Sequence, residues 1–339
     1  MLYKTLDNEQ RRAAIDQQQL FTAYREVLQE AQRTRGGLSW QRTGNKDYLV
    51  RALSRGVKKS LGPRSPDTER TLADFQARKA AIQDKRRHFE ERLTRQARVC
   101  RALGLGRVPK MAAAILRALA DMRLDRKTTT IIGTHALYAY ESLAGVHFAS
   151  DLLTTHDLDV LWDARSRLQC AGRIPPQGLL AILRKIDHSF DVLRHAPFRA
   201  VNRDGFMVDL LQERAPIHKT PMLSFAPEDE FVAVEAPVEW LMASPKVSII
   251  ALDERGYPAP FSVPDPRAFV LHKLWISQRP DRDPLKKPRD AAQARAVIAL
   301  IAQELPQYAF SDKAMRMFPQ PVRHLADEEE RPFGGWEQS

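Results

Sequence analysis

Apolar residues recur at helical spacing along two long stretches in the first third of the chain. The pattern predicts one helix over residues 8–34, which the pair Gly36–Gly37 ends. It predicts a second helix, or a helical hairpin, over residues 67–103, where no glycine or proline occurs. Ser65 and Pro66 stand just before this stretch and provide a cap and a proline for the first turn.

The segment between these helices changes to a strand pattern. Aromatic and β-branched residues flank the turn sequence Thr43–Gly44–Asn45–Lys46, so a β-hairpin is predicted over residues 38–53. Its basic side chains suit a nucleic-acid backbone, although such hairpins as often pack against a neighbouring helix. Glycine and proline predict a loop over residues 60–66.

The remainder of the chain mixes β-branched or apolar runs with helical ones, which is typical of an α+β protein. The predicted strands are residues 128–132, 158–162, 206–211, 232–234 and 247–252, and the predicted helices are residues 108–123, 136–143, 178–194, 266–277 and 289–304. No internal repeat is visible.

Length and composition exclude fibrous and wholly disordered proteins, since 43% of the 339 residues are hydrophobic. No apolar run reaches the roughly 18 residues of a membrane span, and the first residues lack the apolar core of a signal peptide, so a cytoplasmic protein is expected. The two cysteines, Cys100 and Cys170, are too few for a disulfide scaffold and are predicted to be buried thiols.

The net charge of +11 is distributed unevenly. Residues 1–127 contain 29 Lys and Arg against 14 Asp and Glu, whereas residues 128–339 contain 24 against 28. A one-sided positive field concentrates polyanions, so nucleic acid is the first candidate partner of the front region. The alternative is that these basic residues only solvate long helices, and charge alone does not decide between the two.

The clearest chemical signal is a β-branched strand that runs through Gly133–Thr134 into a helix. Backbone N–H groups and a hydroxyl at such a helix start can bind phosphate. Downstream, Asp157 and Asp159 lie two residues apart in an apolar strand, so both side chains point to one face. Two adjacent carboxylates repel each other unless a cation lies between them, and hard oxygen ligands of this kind suit Mg²⁺ or Mn²⁺.

Context distinguishes this Asp-x-Asp pair from a second one. Asp281 and Asp283 lie in a polar, proline-rich loop with no apolar strand to hold them. A third acid, Asp209, interrupts the apolar strand predicted over residues 206–211. A buried, unpaired charge is costly, so Asp209 must face either a metal ion or a strongly basic partner.

The order of these elements resembles that of the nucleotidyltransferase superfamily that includes DNA polymerase β: a strand, Gly-Thr, a helix, a strand with Asp-x-Asp and a later strand with one Asp. The chain looks closer still to an uncharacterised bacterial nucleotidyltransferase-fold family. The segments that carry this likeness are R-V-P-K-M-A-A-A-I-L-R-A-L-A, G-T-H-A-L-Y-A-Y-E, T-T-H-D-L-D-V-L-W and P-D-P-R-A-F-V-L-H-K-L-W, together with Y-L-V-R and S-L-G-P-R-S near the N-terminus. The likeness extends from about residue 36 to about residue 300.

The resemblance implies metal-dependent transfer of a nucleoside monophosphate from an NTP to an acceptor hydroxyl, on RNA such as a tRNA end or on a protein. On this basis Gly133 and Thr134 hold the β- and γ-phosphates. Asp157 and Asp159 bind the metal that bridges the triphosphate, and Asp209 joins them at a second metal ion. Histidine-rich motifs expected of a two-metal phosphohydrolase do not occur.

The C-terminal segment resembles the lysine-then-aspartate segment of abortive-infection nucleotidyltransferase toxins. This likeness implies that Lys273 neutralises triphosphate charge and that Asp290 orients a basic residue or the nucleotide. Alternatively, Lys273 is a surface lysine whose stem covers apolar neighbours. Lys286, Lys287 and Arg289 are either phosphate contacts or solvated loop charges.

Two features depart from the superfamily pattern. Its usual Gly-Ser or Gly-Gly is here Gly133–Thr134, which keeps a hydroxyl but adds a methyl group. Residues 135–156 form a longer connection to Asp157 than minimal members have. The part around Val146 to Thr155 is expected either to cover the site or to bind something specific to this group. The two histidines that flank the site, His135 and His156, are expected to be structural.

The expected fold is a nucleotidyltransferase fold of the α+β class, with a small mixed sheet and flanking helices. The predicted domains are a basic helical and hairpin region (1–106), a catalytic domain (107–255), a helical C-terminal region (256–326) and a loose tail (327–339). The alternative function is a catalytically silent protein of the same fold that binds nucleic acid or a partner, as in a toxin–antitoxin or defence system.

Overall fold

The computed structural model divides the chain into two compact units. We call Arg12–Leu103 the basic unit, and Met1–Arg11 together with Gly104–Ser339 the large unit. The structure describes residues 2–52, 58–125, 128–163, 178–213, 224, 229–236 and 238–330. Among these residues, no helix combines the length and apolar character needed to cross a membrane.

The secondary structure is mixed and mainly helical. The helices are α1 (Asn8–Arg33), α2 (Pro66–Ala102), α3 (Lys110–Asp121), α4 (Ala136–Ala144), α5 (Ser150–Leu153), α6 (Gly178–Ile186), α7 (Glu239–Ala243), α8 (Pro266–Gln278), α9 (Lys287–Glu304), α10 (Asp312–Met315) and α11 (Gln320–Glu330), with 3₁₀ turns at Gly133–His135 and Pro306–Tyr308. The strands are β1 (Tyr3–Thr5), β2 (Gly37–Thr43), β3 (Lys46–Ala52), β4 (Lys58–Pro63), β5 (Thr129–Ile132), β6 (Val146–Phe148), β7 (Asp157–Trp162), β8 (Asp191–Leu193), β9 (Ala196–Val201), β10 (Met207–Glu213), β11 (Val234–Ala236), β12 (Lys246–Leu252) and β13 (Pro258–Pro264).

The basic unit contains most of α1, the whole of α2 and a three-stranded antiparallel sheet in the order β2-β3-β4. The predicted start of α2 is confirmed: the Ser65 hydroxyl accepts from the backbone N–H of Thr68, and the Thr68 hydroxyl accepts from the backbone N–H of Ser65. This reciprocal cap satisfies two N–H groups that the first helical turn leaves free. Cys100 is buried as predicted, whereas Cys170 lies outside the described residues.

The predicted loop over residues 60–66 is wrong for its first part, because Lys58–Pro63 forms β4. The hairpin strand β3 offers an unpaired edge, and β4 satisfies it. Gly62 adopts φ +124° where the register shifts beside Leu49, and Pro63 ends the strand, so neither residue interrupts the ladder.

A mixed sheet in the large unit has the strand order β5-β7-β10-β9-β8. The strand β11 pairs in parallel with the C-terminal residues of β10. The strands β7 and β10 run parallel, whereas β5 and β9 run antiparallel to their respective neighbours. All four residues of β5 are buried, as their β-branched composition predicts. A separate pair joins β1 to β6, so the first residues of the chain belong to the large unit.

The strand β13 pairs with β12 although it contains three prolines, which the sequence pattern did not predict as a strand. Pro258, Pro260 and Pro264 are all separated by even numbers of residues, so their nitrogens face the same side. The carbonyls of Pro258 and Pro264 accept hydrogen bonds from Arg117 and Tyr140, outside the β12-β13 ladder. The prolines therefore occupy positions at which the ladder needs no N–H donor.

Two further predictions differ from the structure. The helix predicted over 178–194 ends at Ile186, because the Asp187 carboxylate accepts from the backbone N–H of Ser189 and closes a turn. The strands β8 and β9 follow this turn. At the C-terminus, α11 continues to Glu330, so the predicted loose tail does not begin at residue 327, and residues 331–339 lie outside the described residues.

Candidate active site

Three predicted site carboxylates lie on two adjacent strands. The parallel pairing of β7 and β10 makes Asp159 and Asp209 direct register partners, and Asp157 precedes Asp159 by one full strand period. Register partners on adjacent strands point to the same face, so the three side chains share one face of the sheet. Burial, and then the charges of Asp157 and Asp209, raise the pKa of Asp159 to about 7. The sheet therefore concentrates negative charge at this point.

Gly133 brings the turn between β5 and α4 directly against this cluster. The strand β5 pairs antiparallel with β7, and Ile132 is the register partner of Asp159. The next residue, Gly133, has φ +63°, and a Cβ atom built on it would lie 2.1 Å from Oδ2 of Asp159. Only glycine meets both conditions, since a side chain would be strained at this φ and would overlap the carboxylate.

Thr134 is held by side chains from α9. Its hydroxyl oxygen accepts from Nη2 of Arg289 at 3.1 Å and from Nε2 of Gln293 at 3.1 Å. The Gln293 amide also donates to the carbonyl of Leu152 at 2.7 Å and so connects α5, α9 and the turn. Sequence reasoning did not identify Gln293. Arg289 and Gln293 are four residues apart on one helix face, which is the only sequence signal that links them.

Asp209 has a basic partner, one of the two alternatives that the sequence left open. Arg199 on β9 is its antiparallel register partner and donates from Nε to Oδ1 at 2.7 Å and from Nη2 to Oδ2 at 2.5 Å. This is a bidentate arginine–carboxylate pair, the strongest geometry for such a contact. Sequence reasoning missed Arg199 because no strand was predicted at β9.

Lys273 and Asp290 meet in a buried network beside the site. Nζ of Lys273 donates to Oδ1 of Asp290 at 2.7 Å, and Nε of Arg282 donates to Oδ2 of the same carboxylate at 2.8 Å. Burial lowers the pKa of Lys273, while the charges of Asp290 and Asp159 oppose this effect. The alternative of a snorkelling surface lysine is wrong, since Lys273 is only 5% exposed.

Positive charge from the start of α9 also reaches the carboxylates. Lys286 is exposed at the N-cap of α9, and its charge acts on both Asp157 and Asp159. Burial would raise the pKa of Asp157, but a hydrogen bond from the Thr155 hydroxyl and the charge of Lys286 lower it overall. The two neighbouring aspartates thus differ in their tendency to ionise.

The two flanking histidines occupy different environments. His135 is fully buried between the rings of Tyr138 and Phe206, and burial lowers its pKa to about 4. It is therefore neutral at neutral pH, which fits the structural role predicted for it. His156 is exposed immediately before Asp157.

The donor chemistry of Asp157 and Asp159 suits a hard divalent cation, because both ligands are carboxylates whose mutual repulsion a cation would relieve. Within the part of the chain that the structure describes, no three acidic, histidine or cysteine side chains converge as a ready-made metal cluster. Both oxygens of Asp209 accept hydrogen bonds from Arg199.

Residues 110–319 match the model of a protein family described as nucleotidyltransferase. The chain belongs to the nucleotidyltransferase family. Members generally use an NTP and a divalent metal, and the mixed sheet with flanking helices is consistent with the family fold. The match contains all seven predicted site residues but no residue of the basic unit. No curated protein and no solved structure matches the chain.

Proposed function

We propose that the large unit is a metal-dependent enzyme that transfers a nucleoside monophosphate from an NTP to an acceptor hydroxyl. The observation that carries this proposal is the approach of Asp159 to the Gly133 backbone. A carboxylate pair held against a Gly-Thr turn provides metal ligands and phosphate donors within one site, and family membership supports the general reaction.

Gly133 and Thr134 are the proposed binding residues for the β- and γ-phosphates. The Thr134 hydroxyl is oriented by Arg289 and Gln293, and Arg289 brings a guanidinium to the same turn. Lys286 and Lys273 add positive charge near the carboxylates, and Asp290 orients Lys273. This distribution of charge suits a triphosphate. The cationic side chains would lie near its β- and γ-phosphates, and the carboxylates would lie near the α-phosphate, where the reaction occurs.

Asp157 and Asp159 would hold one divalent metal ion, and Asp209 would join them at a second ion. When bound, Mg²⁺ or Mn²⁺ neutralises phosphate charge and lowers the pKa of the acceptor hydroxyl. The acceptor oxygen forms a bond to the α-phosphorus in line with the leaving group, and the hydroxyl proton passes to water. The bond between the α-phosphorus and the bridging oxygen of the β-phosphate breaks, and pyrophosphate leaves with its electron pair. In this scheme the residues of the chain position the triphosphate and supply the charges that hold it and the metal ions.

The decisive experiment compares two Asp-x-Asp pairs. Asp157→Ala or Asp159→Ala should abolish Mg²⁺-dependent release of pyrophosphate from NTP and leave the far-ultraviolet circular dichroism unchanged. Asp281→Ala is the matched control, since Asp281 lies in the second pair, where it is exposed and contacts Arg279. Undiminished release by both site variants, or equal loss in the control, would contradict the assignment.

The basic unit is the proposed binding region for the acceptor. It contains 21 Lys and Arg against 10 Asp and Glu, so it accounts for the whole net charge of +11, while the large unit is neutral. RNA is the acceptor that this charge favours. Labelled NTPs incubated with the full chain, cellular RNA and cell lysate should label RNA, and binding of that RNA should weaken steeply as salt is added. Label found only on protein would indicate adenylylation of a protein acceptor.

The second candidate function is a silent member of the family that binds nucleic acid or a partner. The Asp209–Arg199 pair favours it, because that pair occupies the third carboxylate. Calorimetric titration with Mg²⁺ and each NTP separates the two functions. Metal-dependent binding of a nucleotide supports the enzyme, and its absence for all four nucleotides supports the silent protein.

A further inference from the structure

Arg199 introduces a fixed positive charge into the carboxylate cluster. It lies on β9, which runs antiparallel beside β10, and it faces Asp209 in direct register. The Asp209 side chain is 8% exposed and that of Arg199 is 30% exposed, so the pair is largely removed from water. A carboxylate in this position needs a cation, and Arg199 supplies it without any ligand.

The influence of Arg199 extends beyond its own partner. Arg199 is the register partner of Asp209, which is itself the register partner of Asp159, and Asp157 lies on the same face of β7. The guanidinium therefore offsets part of the combined charge of the three carboxylates. An incoming divalent cation meets a site that is already partly neutralised.

We propose that Arg199 competes with divalent metal for Asp209 and thereby sets the metal affinity of the three-carboxylate site. This inference rests on the proposed function, since it takes these carboxylates as the metal ligands. Both oxygens of Asp209 accept from Arg199, so Asp209 joins a metal ion only as that hydrogen bonding is shared or given up. In the absence of metal, Arg199 orients the third carboxylate through two hydrogen bonds.

A purely structural role for Arg199 predicts the opposite change in metal affinity. If the arginine only supports the sheet, its loss should loosen β9 and β10 and weaken metal binding. If it competes with metal, its loss should add one uncompensated negative charge to the site and tighten metal binding. Metal affinity measured without turnover therefore separates the two roles.

The test measures Mn²⁺ binding to the full chain by electron paramagnetic resonance, in the absence of nucleotide. Arg199→Gln should bind Mn²⁺ about tenfold more tightly than the wild type, because one opposing unit charge is removed a few ångströms from the ion. Arg203→Gln is the matched control: it removes the same charge from an exposed arginine in the connection that follows β9 and should leave the affinity unchanged. Equal or weaker binding by Arg199→Gln overturns the proposal.

Arg199→Lys guards against loss of the fold, because it retains the charge and loses only the bidentate geometry. It should give an intermediate affinity. Thermal unfolding adds a second readout: in EDTA, Arg199→Gln should melt below the wild type, and saturating Mn²⁺ should raise its midpoint by more than it raises that of the wild type. Equal Mn²⁺ shifts for the two proteins would contradict competition.

Asp159→Asn distinguishes failure of this inference from failure of the proposed function. If the wild type binds Mn²⁺ and Asp159→Asn does not, the metal site exists, and the response of Arg199→Gln alone decides the inference. If the wild type binds no Mn²⁺, or if Asp159→Asn binds it equally well, the metal site is refuted together with the role of Arg199.

Discussion

Replacement of Gly133 by alanine should separate stability from function at the site. The substitution introduces two distinct perturbations. The backbone remains at φ +63°, which is unfavourable for any residue with a Cβ atom, and the new methyl group points at the carboxylate of Asp159. Each perturbation has a different consequence, and a second glycine in the large unit isolates the first one.

The backbone cost is modest. A left-handed conformation costs an alanine about 1–2 kcal/mol, and the lower entropy of the unfolded alanine chain returns roughly half of this. Gly145 has φ +66° at the end of α4, and a Cβ atom built there would lie 3.5 Å from its nearest neighbour, an atom of Arg11, which is ordinary contact. Gly145→Ala should therefore cost about the same free energy of unfolding as Gly133→Ala, to within about 1 kcal/mol.

The steric cost applies only at Gly133. A Cβ atom 2.1 Å from Oδ2 of Asp159 is nearly 1 Å inside the 3.0 Å limit that real contacts respect, so the carboxylate must move by about 1 Å. Because the overlap is with the far end of a flexible side chain rather than with backbone, the energy penalty stays small, but the position of the proposed metal ligand is lost. A displacement of this size costs about a hundredfold in rate when it affects a reacting geometry.

Urea unfolding, Mn²⁺ binding and pyrophosphate release together test this reasoning. Both variants should show a similar loss of stability. Only Gly133→Ala should lose Mn²⁺ affinity and about a hundredfold of activity, while Gly145→Ala should keep both. Full activity in Gly133→Ala, or an equal loss of activity in the two variants, would refute the proposed contact between the turn and the metal ligands.

Two further predictions concern buried charge in the large unit. The pKa of His135 is about 4 in the folded chain, below its value in the unfolded chain, so the stability that it contributes is present above pH 6.5 and is lost as the pH falls. Between pH 7 and pH 5 the free energy of unfolding should fall by about 2 kcal/mol for this reason. Urea unfolding of His135→Phe should lack this fall, and His156→Phe should retain it. Asp265 caps α8 and pairs with the buried Arg267, so Asp265→Ala should lower the free energy of unfolding by about 3–5 kcal/mol. A decrease below about 1 kcal/mol would contradict the pairing. Asp265→Asn should cause a smaller decrease, because the amide oxygen still caps the helix.

Local sequence signals predicted the elements that carry the site. The β-branched run before Gly133 and the apolar residues around Asp159 identified β5 and β7, because a buried strand leaves a strong local pattern. Context also separated the strand-borne Asp157 from Asp281, which is indeed exposed in a loop. Each of these signals lies within a few residues of the position that it identifies, so none of them needs knowledge of the tertiary fold.

The partners of these residues depend on contacts that are distant in sequence. Arg289 meets Thr134 across 155 positions, and no local pattern encodes that contact. Arg199 was missed because the residues that precede β9 continued a helical pattern, so no strand was predicted there. The prolines of β13 likewise prevented prediction of a strand. A proline is tolerated in a strand where its nitrogen faces away from the paired strand, and the sequence does not show on which side that paired strand lies.

The distribution of charge now coincides with a structural boundary. Dividing the chain at residue 127 gave +15 in front and −4 behind, but the boundary at Leu103 leaves the large unit neutral and gives the basic unit the whole +11. The family match begins only at residue 110, after the basic unit has ended. A unit of zero net charge attracts a polyanion only through local positive patches, so the proposed capture of RNA rests on the basic unit. Acceptor affinity should therefore fall with salt far more steeply than nucleotide affinity, since only the former depends on the field of that unit.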